Sequence, residues 1–242
     1  MPLIIAHRGA SALAPENTMA AFRLARELGA DGIELDVMLS ADEELVVIHD
    51  DSLERTTNGE GKVADLTWAE MQPLDAGSKF NPAFAGEHLP TLSQVYEEMG
   101  GSLLIDVELK NYSHPYNQLP NKAVALTQKF NLLDSVLFSS FNPANLSAVR
   151  KLEPKIKLGL LAESGKSGAL WRTVYGRTFP FDAFHPYFSD VNAAMVKEQH
   201  RLGRQVNPWT VDDPQELKRL QGLGVDMVIC NDPARARAIL EG

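Results

Sequence analysis

Glu34 and Asp36 stand two residues apart in the run Gly32-Ile33-Glu34-Leu35-Asp36-Val37. In an extended strand, alternate side chains share a face, so both carboxylates point one way while Ile33, Leu35 and Val37 point the other. Two like charges held on one side of an apolar strand repel, and a hard divalent cation, which seeks several oxygen ligands, relieves that repulsion. The pattern returns in Leu103-Leu104-Ile105-Asp106-Val107-Glu108-Leu109-Lys110, where Asp106, Glu108 and Lys110 share a face. If both strands belong to a parallel barrel, their C-terminal ends meet at one mouth and Glu108 can approach the Glu34/Asp36 pair. The competing reading is a set of structural ion pairs with Arg8 and Lys110, and the desolvation cost of buried acids weighs against it.

Two imidazoles are expected at the same mouth. His7-Arg8-Gly9 closes the first apolar run, and His49-Asp50 closes another. Histidine takes and gives protons near neutral pH, so two imidazoles beside an acidic cluster suit general acid–base chemistry at that mouth. Trp209 also falls at a strand end, where an indole offers an apolar wall to the carbon face of a polyol. His88, His114 and His200 read as solvated or locally satisfied side chains. His185 ends a strand, with ordinary packing as its better reading. Asn111, Tyr112 and Tyr116 follow Glu108 closely and suit either the wall of a pocket at that mouth or plain loop surface. No role is expected of Phe141.

The elements that would carry these residues alternate in type. Short apolar runs at 3–7, 32–37, 45–49, 103–108, 136–139, 157–161, 182–185, 205–209 and 227–230 are separated by longer amphipathic stretches, the pattern of repeated β-α units around a parallel sheet. These runs exceed an eight-stranded barrel by one. Only seven residues separate Val37 from Leu45, too few for a parallel crossover, so 45–49 is expected to run antiparallel as the return arm of a hairpin at the mouth. Thr18, Asp213-Pro214 and Asp232-Pro233 are helix-start signals, with Gly29 and Gly224 as stops. From 51 to 90 the alternation breaks. Asn58-Gly59 and the breakers Pro73, Gly77, Pro82, Gly86 and Pro90 mark an insertion, either a lid or a small subdomain.

Bulk properties narrow the field. The 242 residues suit one barrel domain spanning 1–242. No apolar run approaches the ~18 residues of a spanning helix, and the start has no leader pattern, so no stable membrane insertion is expected. A net charge of -9 opposes nucleic acid and anionic surfaces at long range. The single cysteine, Cys230, forms no intrachain disulfide and suits a reducing, cytoplasmic setting.

Taken in order, His7-Arg8-Gly9, Pro15-Glu16-Asn17-Thr18, Gly29-Ala30-Asp31, Glu34-x-Asp36-Val37, His49-Asp50, Asp75-Ala76-Gly77, Pro90-Thr91-Leu92, Glu108-x-Lys110 and Trp209-Thr210-Val211 resemble the glycerophosphodiester phosphodiesterase family over nearly the whole chain. That resemblance implies an α/β fold of the TIM-type (β/α)8 barrel class with an insertion after His49. It implies one divalent cation, Mg²⁺ or Ca²⁺, on Glu34, Asp36 and Glu108, with His7 and His49 as the acid/base pair. Arg8 and Lys110 would hold phosphate oxygens, and Trp209 would line the glycerol side of the pocket. The substrate would be a small glycerophosphodiester, cut to sn-glycerol 3-phosphate and an alcohol. Two departures stand out. The last strand ends Cys230-Asn231-Asp232-Pro233 where relatives usually show Thr-Asp, so no role is assigned to Cys230 or Asn231. Asp42-Glu43-Glu44 replaces the usual Asp-Gly turn. A related barrel enzyme acting on lysophospholipids, or a ligand-binding barrel without catalysis, are the competing readings; the sequence leaves open the head group, the ion, the oligomeric state, which histidine is acid and which is base, and whether the substrate's own 2-hydroxyl or a water attacks.

Overall fold

The structure, a computed structural model, describes residues 1–114, 116–165, 179 and 181–242. Eight parallel strands form its wall: β1 (Leu3–His7), β2 (Gly32–Leu39), β4 (Leu104–Leu109), β5 (Val136–Ser140), β6 (Lys157–Ala162), β7 (Ala183–Pro186), β8 (Gln205–Val206) and β9 (Met227–Cys230). Their order is β8-β7-β6-β5-β4-β2-β1-β9. The two ends of that row meet. Asp226 N–H donates to the Val206 carbonyl at 3.0 Å, and Ile229 N–H to the Pro208 carbonyl at 3.0 Å, which closes the sheet into a barrel. The expected (β/α)8 architecture is the observed one.

The ninth expected strand, β3 (Leu45–Val47), pairs antiparallel with β2, Leu39 opposite Leu45 and Val37 opposite Val47. Its regular pairing ends two residues short of His49, with Ile48 N–H still donating to the Asp36 carbonyl at 3.0 Å and Val47 N–H donating outward to the Pro90 carbonyl at 2.9 Å. The run expected at 205–209 is regular only to Val206. Beyond it the bonds to the β7 side continue, from Asn207 N–H to the Phe184 carbonyl at 2.8 Å and from Trp209 N–H to the Pro186 carbonyl at 3.2 Å, while Pro208, which has no N–H, gives none toward β9.

The helices are α1 (Met19–Glu27), α2 (Trp68–Met71), α3 (Leu92–Met99), α4 (Leu119–Lys129), α5 (Pro143–Leu152), α6 (Ala193–Arg201), α7 (Pro214–Leu223) and α8 (Pro233–Glu241) among the described residues. Their starts follow the side-chain signals. Thr18 accepts from Ala21 N, Asp213 from Gln215 N and Glu216 N, and Asp232 from Arg235 N, satisfying donors that the helix leaves unpaired. Phe22 and Ala25 of α1 and Leu92, Val95, Tyr96 and Met99 of α3 are buried against Ile33, Leu35, Val37, Ile105 and Val107. That apolar face of β2 and β4 points outward under the helices, so their carboxylates point into the barrel. No helix among the described residues is long and apolar enough to cross a membrane.

Segment 51–90 carries its own small core. Leu53, Val63, Met71, Ala76 and Leu89 pack with Val46 and Ile48 of the hairpin arm. Polar ties hold the rest: Asp75 accepts from the backbone N–H groups of Gly77, Ser78 and Gly86. His88 is locally satisfied, its Nδ1 lying 2.8 Å from the Leu74 carbonyl.

Candidate active site

Strand register builds the site. His7 pairs with Glu34, Glu34 with Asp106, and Asp36 with Glu108. Three neighbouring strands therefore present their polar side chains at two adjacent levels near their C-terminal ends, where parallel barrels gather reacting groups. Glu34, Asp36 and Glu108 are buried, and each offers a carboxylate oxygen within 4.8 Å of the others.

The turn after β1 is bent sharply to fit. Arg8 has φ 56° and Gly9 φ 81°, and a Cβ on Gly9 would stand 2.6 Å from the backbone of Ala21, so only glycine fits there. A left-handed arginine is uncommon and is held by its surroundings. Its N–H donates to Glu34 Oε2 at 3.1 Å, and its guanidinium reaches Glu16 Oε1 at 2.8 Å and Asp36 Oδ2 at 3.3 Å. Lys110 Nζ lies 3.4 Å from Asp36 Oδ1 and 3.6 Å from Glu108 Oε1. Tyr112 OH donates to Glu108 Oε1 at 2.7 Å, and Asn17 Nδ2 to Asp36 Oδ2 at 2.9 Å.

Charge is not balanced by these contacts. Burial alone would push the Asp36 carboxyl up, but Lys110, Arg8 and His49 outweigh it and hold it down at about 2. The other acids lack so much help. Burial pushes Glu34 well up, and lifts Glu108 and Asp106 to about 7 despite Lys110 beside Glu108 and Ser139 beside Asp106. Glu34, Asp36 and Glu108 thus share Arg8 and Lys110, and a fourth buried carboxyl, Asp106, has only Ser139 and His185 beside it. Asp36 Oδ1 is buried without a hydrogen bond. A cluster short of positive charge, with a buried acceptor left over, fits a hard cation.

The two histidines are held differently. His7 Nδ1 lies 2.7 Å from Asn231 Oδ1, and its Nε2 lies 4.0 Å from Glu34 Oε2. Burial, aided by Arg8, lowers it to about 4. His49 Nδ1 lies 2.6 Å from Asp50 Oδ1. Arg55 holds Asp50 from the far side, and this contact, with His49, brings that carboxyl down to about 2. Burial lowers His49 too, against the pull of Asp36 and Asp50.

A cavity of about 510 Å³ brings together His7, Arg8, Glu34, His49, Glu108, Lys110 and Trp209. Asp36 lies just beneath, behind Arg8 and Lys110. Sequence reasoning undervalued several neighbours. Phe141 packs edge-on against Trp209, ring centroids 5.5 Å apart, and both line the cavity. The Trp209 indole is fixed by donating to the His185 carbonyl at 2.9 Å. His185 itself is buried on the cavity floor, Nδ1 3.4 Å from Asp106 Oδ2 and Nε2 3.1 Å from Asn207 Nδ2. Its strand-end position was the only signal available. Asn231 stood out only as a departure at the end of the last strand, and its partner His7 is too distant in sequence for a role to be read from it. His200 pairs with Asp226 at 2.9 Å, away from the cavity.

A closed parallel barrel with carboxylates, imidazoles and cations at its C-terminal mouth defines a class of phosphodiesterase architecture, and sequence comparison makes it specific. Residues 7–235 match the Glycerophosphoryl diester phosphodiesterase family, and the chain belongs to that family as a hydrolase of phosphoric diesters. A glycerophosphodiester phosphodiesterase of Caldanaerobacter subterraneus subsp. tengcongensis is 42% identical over 232 residues, 96% of this chain and 94% of the relative. Among solved structures, an Oleispira antarctica phosphodiesterase in complex with the product sn-glycerol-3-phosphate superposes with a TM-score of 0.90 at 31% identity, covering 100% of this chain and 98% of its own. A glycerophosphodiester phosphodiesterase from Agrobacterium tumefaciens gives a TM-score of 0.85 at 28% identity, covering 98% and 100%.

Proposed function

We propose that this enzyme cuts small glycerophosphodiesters to sn-glycerol 3-phosphate and an alcohol, using one divalent cation, Mg²⁺ or Ca²⁺, and two histidines. The supporting observation is the meeting of Glu34, Asp36 and Glu108 within 4.8 Å of one another beside the cavity that His7 and His49 line. A cation held by those three carboxylates would supply positive charge to the phosphate and acidify an attacking hydroxyl. Arg8 and Lys110 bind phosphate oxygens and stabilise the charge that builds on them. Trp209, braced by Phe141, lies against the carbon face of the glycerol.

His7 and His49 divide the proton work. His7, kept unprotonated by burial, takes the proton from the attacking oxygen. His49, with the Asp50 carboxylate at its Nδ1, gives one to the departing alcohol. The substrate's own 2-hydroxyl is the nucleophile, because an internal group already sits near phosphorus at high effective concentration. Water then opens the cyclic phosphate with the two roles reversed. Segment 51–90 serves as a lid: Asp51, Ser52, Lys62 and Val63 line a second cavity of about 610 Å³ that shares His49, Lys110 and Tyr112 with the first, in reach of the leaving alcohol.

A panel of glycerophosphodiesters, with lysophosphatidylcholine beside them, assayed for glycerol 3-phosphate with and without chelator tests this reading. Chelator-sensitive release from the soluble diesters is expected. Undiminished release in excess chelator would remove the cation, and cleavage confined to the lysolipid would replace the substrate class.

A further inference from the structure

We propose that Asn231, oriented by Asp212 and Ser11, is a positioning residue that fixes the tautomer of His7, so that Nε2 is the atom that accepts the proton. The inference rests on the phosphodiester reading above for its catalytic meaning, and on geometry alone for the tautomer.

Asn231 follows β9 and makes a complete set of polar contacts. Its backbone N–H donates to Asp212 Oδ1 at 2.8 Å, and its Nδ2 donates to Asp212 Oδ2 at 2.5 Å. Its Oδ1 receives the Ser11 hydroxyl at 2.9 Å and faces His7 Nδ1 at 2.7 Å. The amide of an asparagine can in principle be turned end for end. Here it cannot be, because a carboxylate only accepts, and turning the amide would set Asn231 Oδ1 against Asp212 Oδ2.

With the amide fixed, the histidine is fixed as well. An amide oxygen only accepts, so the proton of neutral His7 resides on Nδ1. Nε2 then carries the lone pair, and it is the nitrogen directed toward Glu34 and the cavity. If Nε2 carried the proton instead, two acceptors would face each other 2.7 Å apart at Nδ1, and the cavity would see a donor. The device is a neutral amide backed by a carboxylate, assembled from the ends of β9, the loop after β8 and the turn after β1. A carboxylate placed directly against His7 would favour the imidazolium; the intervening amide orients the ring without doing so.

Four variants and one spectrum test this. In protein labelled with ¹⁵N-histidine, the His7 signals, identified by their loss in His7→Gln, are expected to show a protonated Nδ1 and an unprotonated Nε2 near neutral pH. Asn231→Ala is expected to lower kcat on glycerophosphocholine about 10- to 100-fold with KM within about twofold, and to leave His7 in mixed tautomers. Asn231→Asp brings two carboxylates together and is expected to lose kcat similarly. Adding Asp212→Asn to it restores a donor to the position-231 carboxylate and an acceptor to its backbone N–H, so the ring is oriented again; because that carboxylate now favours the imidazolium, the lost kcat is expected to return only as the pH is raised above neutral. Thermal melts of each variant separate loss of fold from loss of positioning. A protonated Nε2 in the wild-type spectrum overturns the proposal, as does a folded Asn231→Ala enzyme with undiminished kcat, or a double variant no better than Asn231→Asp at alkaline pH. If the wild type cleaves no glycerophosphodiester, the functional reading falls, and the spectrum still decides the tautomer.

Discussion

Asp36 and Glu108 stand opposite each other in the parallel ladder between β2 and β4, and Lys110 Nζ lies 3.4 Å from the first and 3.6 Å from the second. A single ammonium is thus shared by two buried carboxylates that have Glu34 as a third neighbour. Glu108→Gln removes one charged oxygen ligand while keeping shape. Activity is expected to fall at least about 100-fold, with the remaining activity no longer sensitive to chelator and the melting temperature held or raised, since burial already disfavours this charge. A fully active Glu108→Gln enzyme would contradict the proposed ion site.

The proposed internal attack would make the 2-hydroxyl of glycerol indispensable. A diester analogue lacking it is expected to inhibit competitively at a concentration near the parent KM, yet to turn over more than about a thousandfold more slowly, the loss of an effective molarity. Equal turnover of analogue and parent would mean that water attacks directly.

Shortening the tip of segment 51–90 around Asn58-Gly59, while keeping Leu53, Val63 and Met71, should preserve the barrel and admit bulkier alcohols. The measurement is the ratio of kcat/KM for a large and a small head group, expected to rise several-fold; lids earn selectivity by closing. An unchanged ratio in a folded variant would argue that the segment is only a buttress for the hairpin.

Gly159 on β6 leaves the room that His185 occupies. A Cβ there would stand 2.7 Å from His185 Nε2, so Gly159→Ala must displace the imidazole and, through its strand, the carbonyl that anchors Trp209. A loss of about 1–3 kcal/mol in denaturant unfolding is expected, with a raised KM. Stability equal to wild type would show that the floor of the cavity can relax.

Buried His185 is brought down to about 3 by desolvation, from 6.5 when unfolded. The unfolded chain therefore binds a proton more readily between those values, and stability falls as pH drops from 6.5 toward 3. Asp106, 3.4 Å away, titrates in the same setting, so the contribution of the histidine is read as a difference between wild type and His185→Gln. Across that window the wild type is expected to lose up to about 1.4 kcal/mol per pH unit relative to the variant, measured by urea unfolding at pH 7.5, 5.5 and 4.5. Parallel pH curves for the two proteins would show that His185 titrates in the folded protein as it does in the unfolded chain.

What the sequence determined by itself is local. Two-residue spacing put Glu34 with Asp36 and Asp106 with Glu108, because a strand fixes side-chain direction without reference to anything else. Thr18, Asp213 and Asp232 marked helix starts, because a cap bonds within three residues of itself. The seven-residue gap after Val37 forced an antiparallel arm on chain length alone. The tertiary structure decided what depends on register and closure. His7 meets Asn231 across 224 residues, because β9, the last strand, pairs in parallel with β1, the first; no spacing rule reaches that far. Phe141 braces Trp209, and His185 faces Asp106, for the same reason: neighbours across a barrel are chosen by strand order, and strand order is settled by packing of the whole wall.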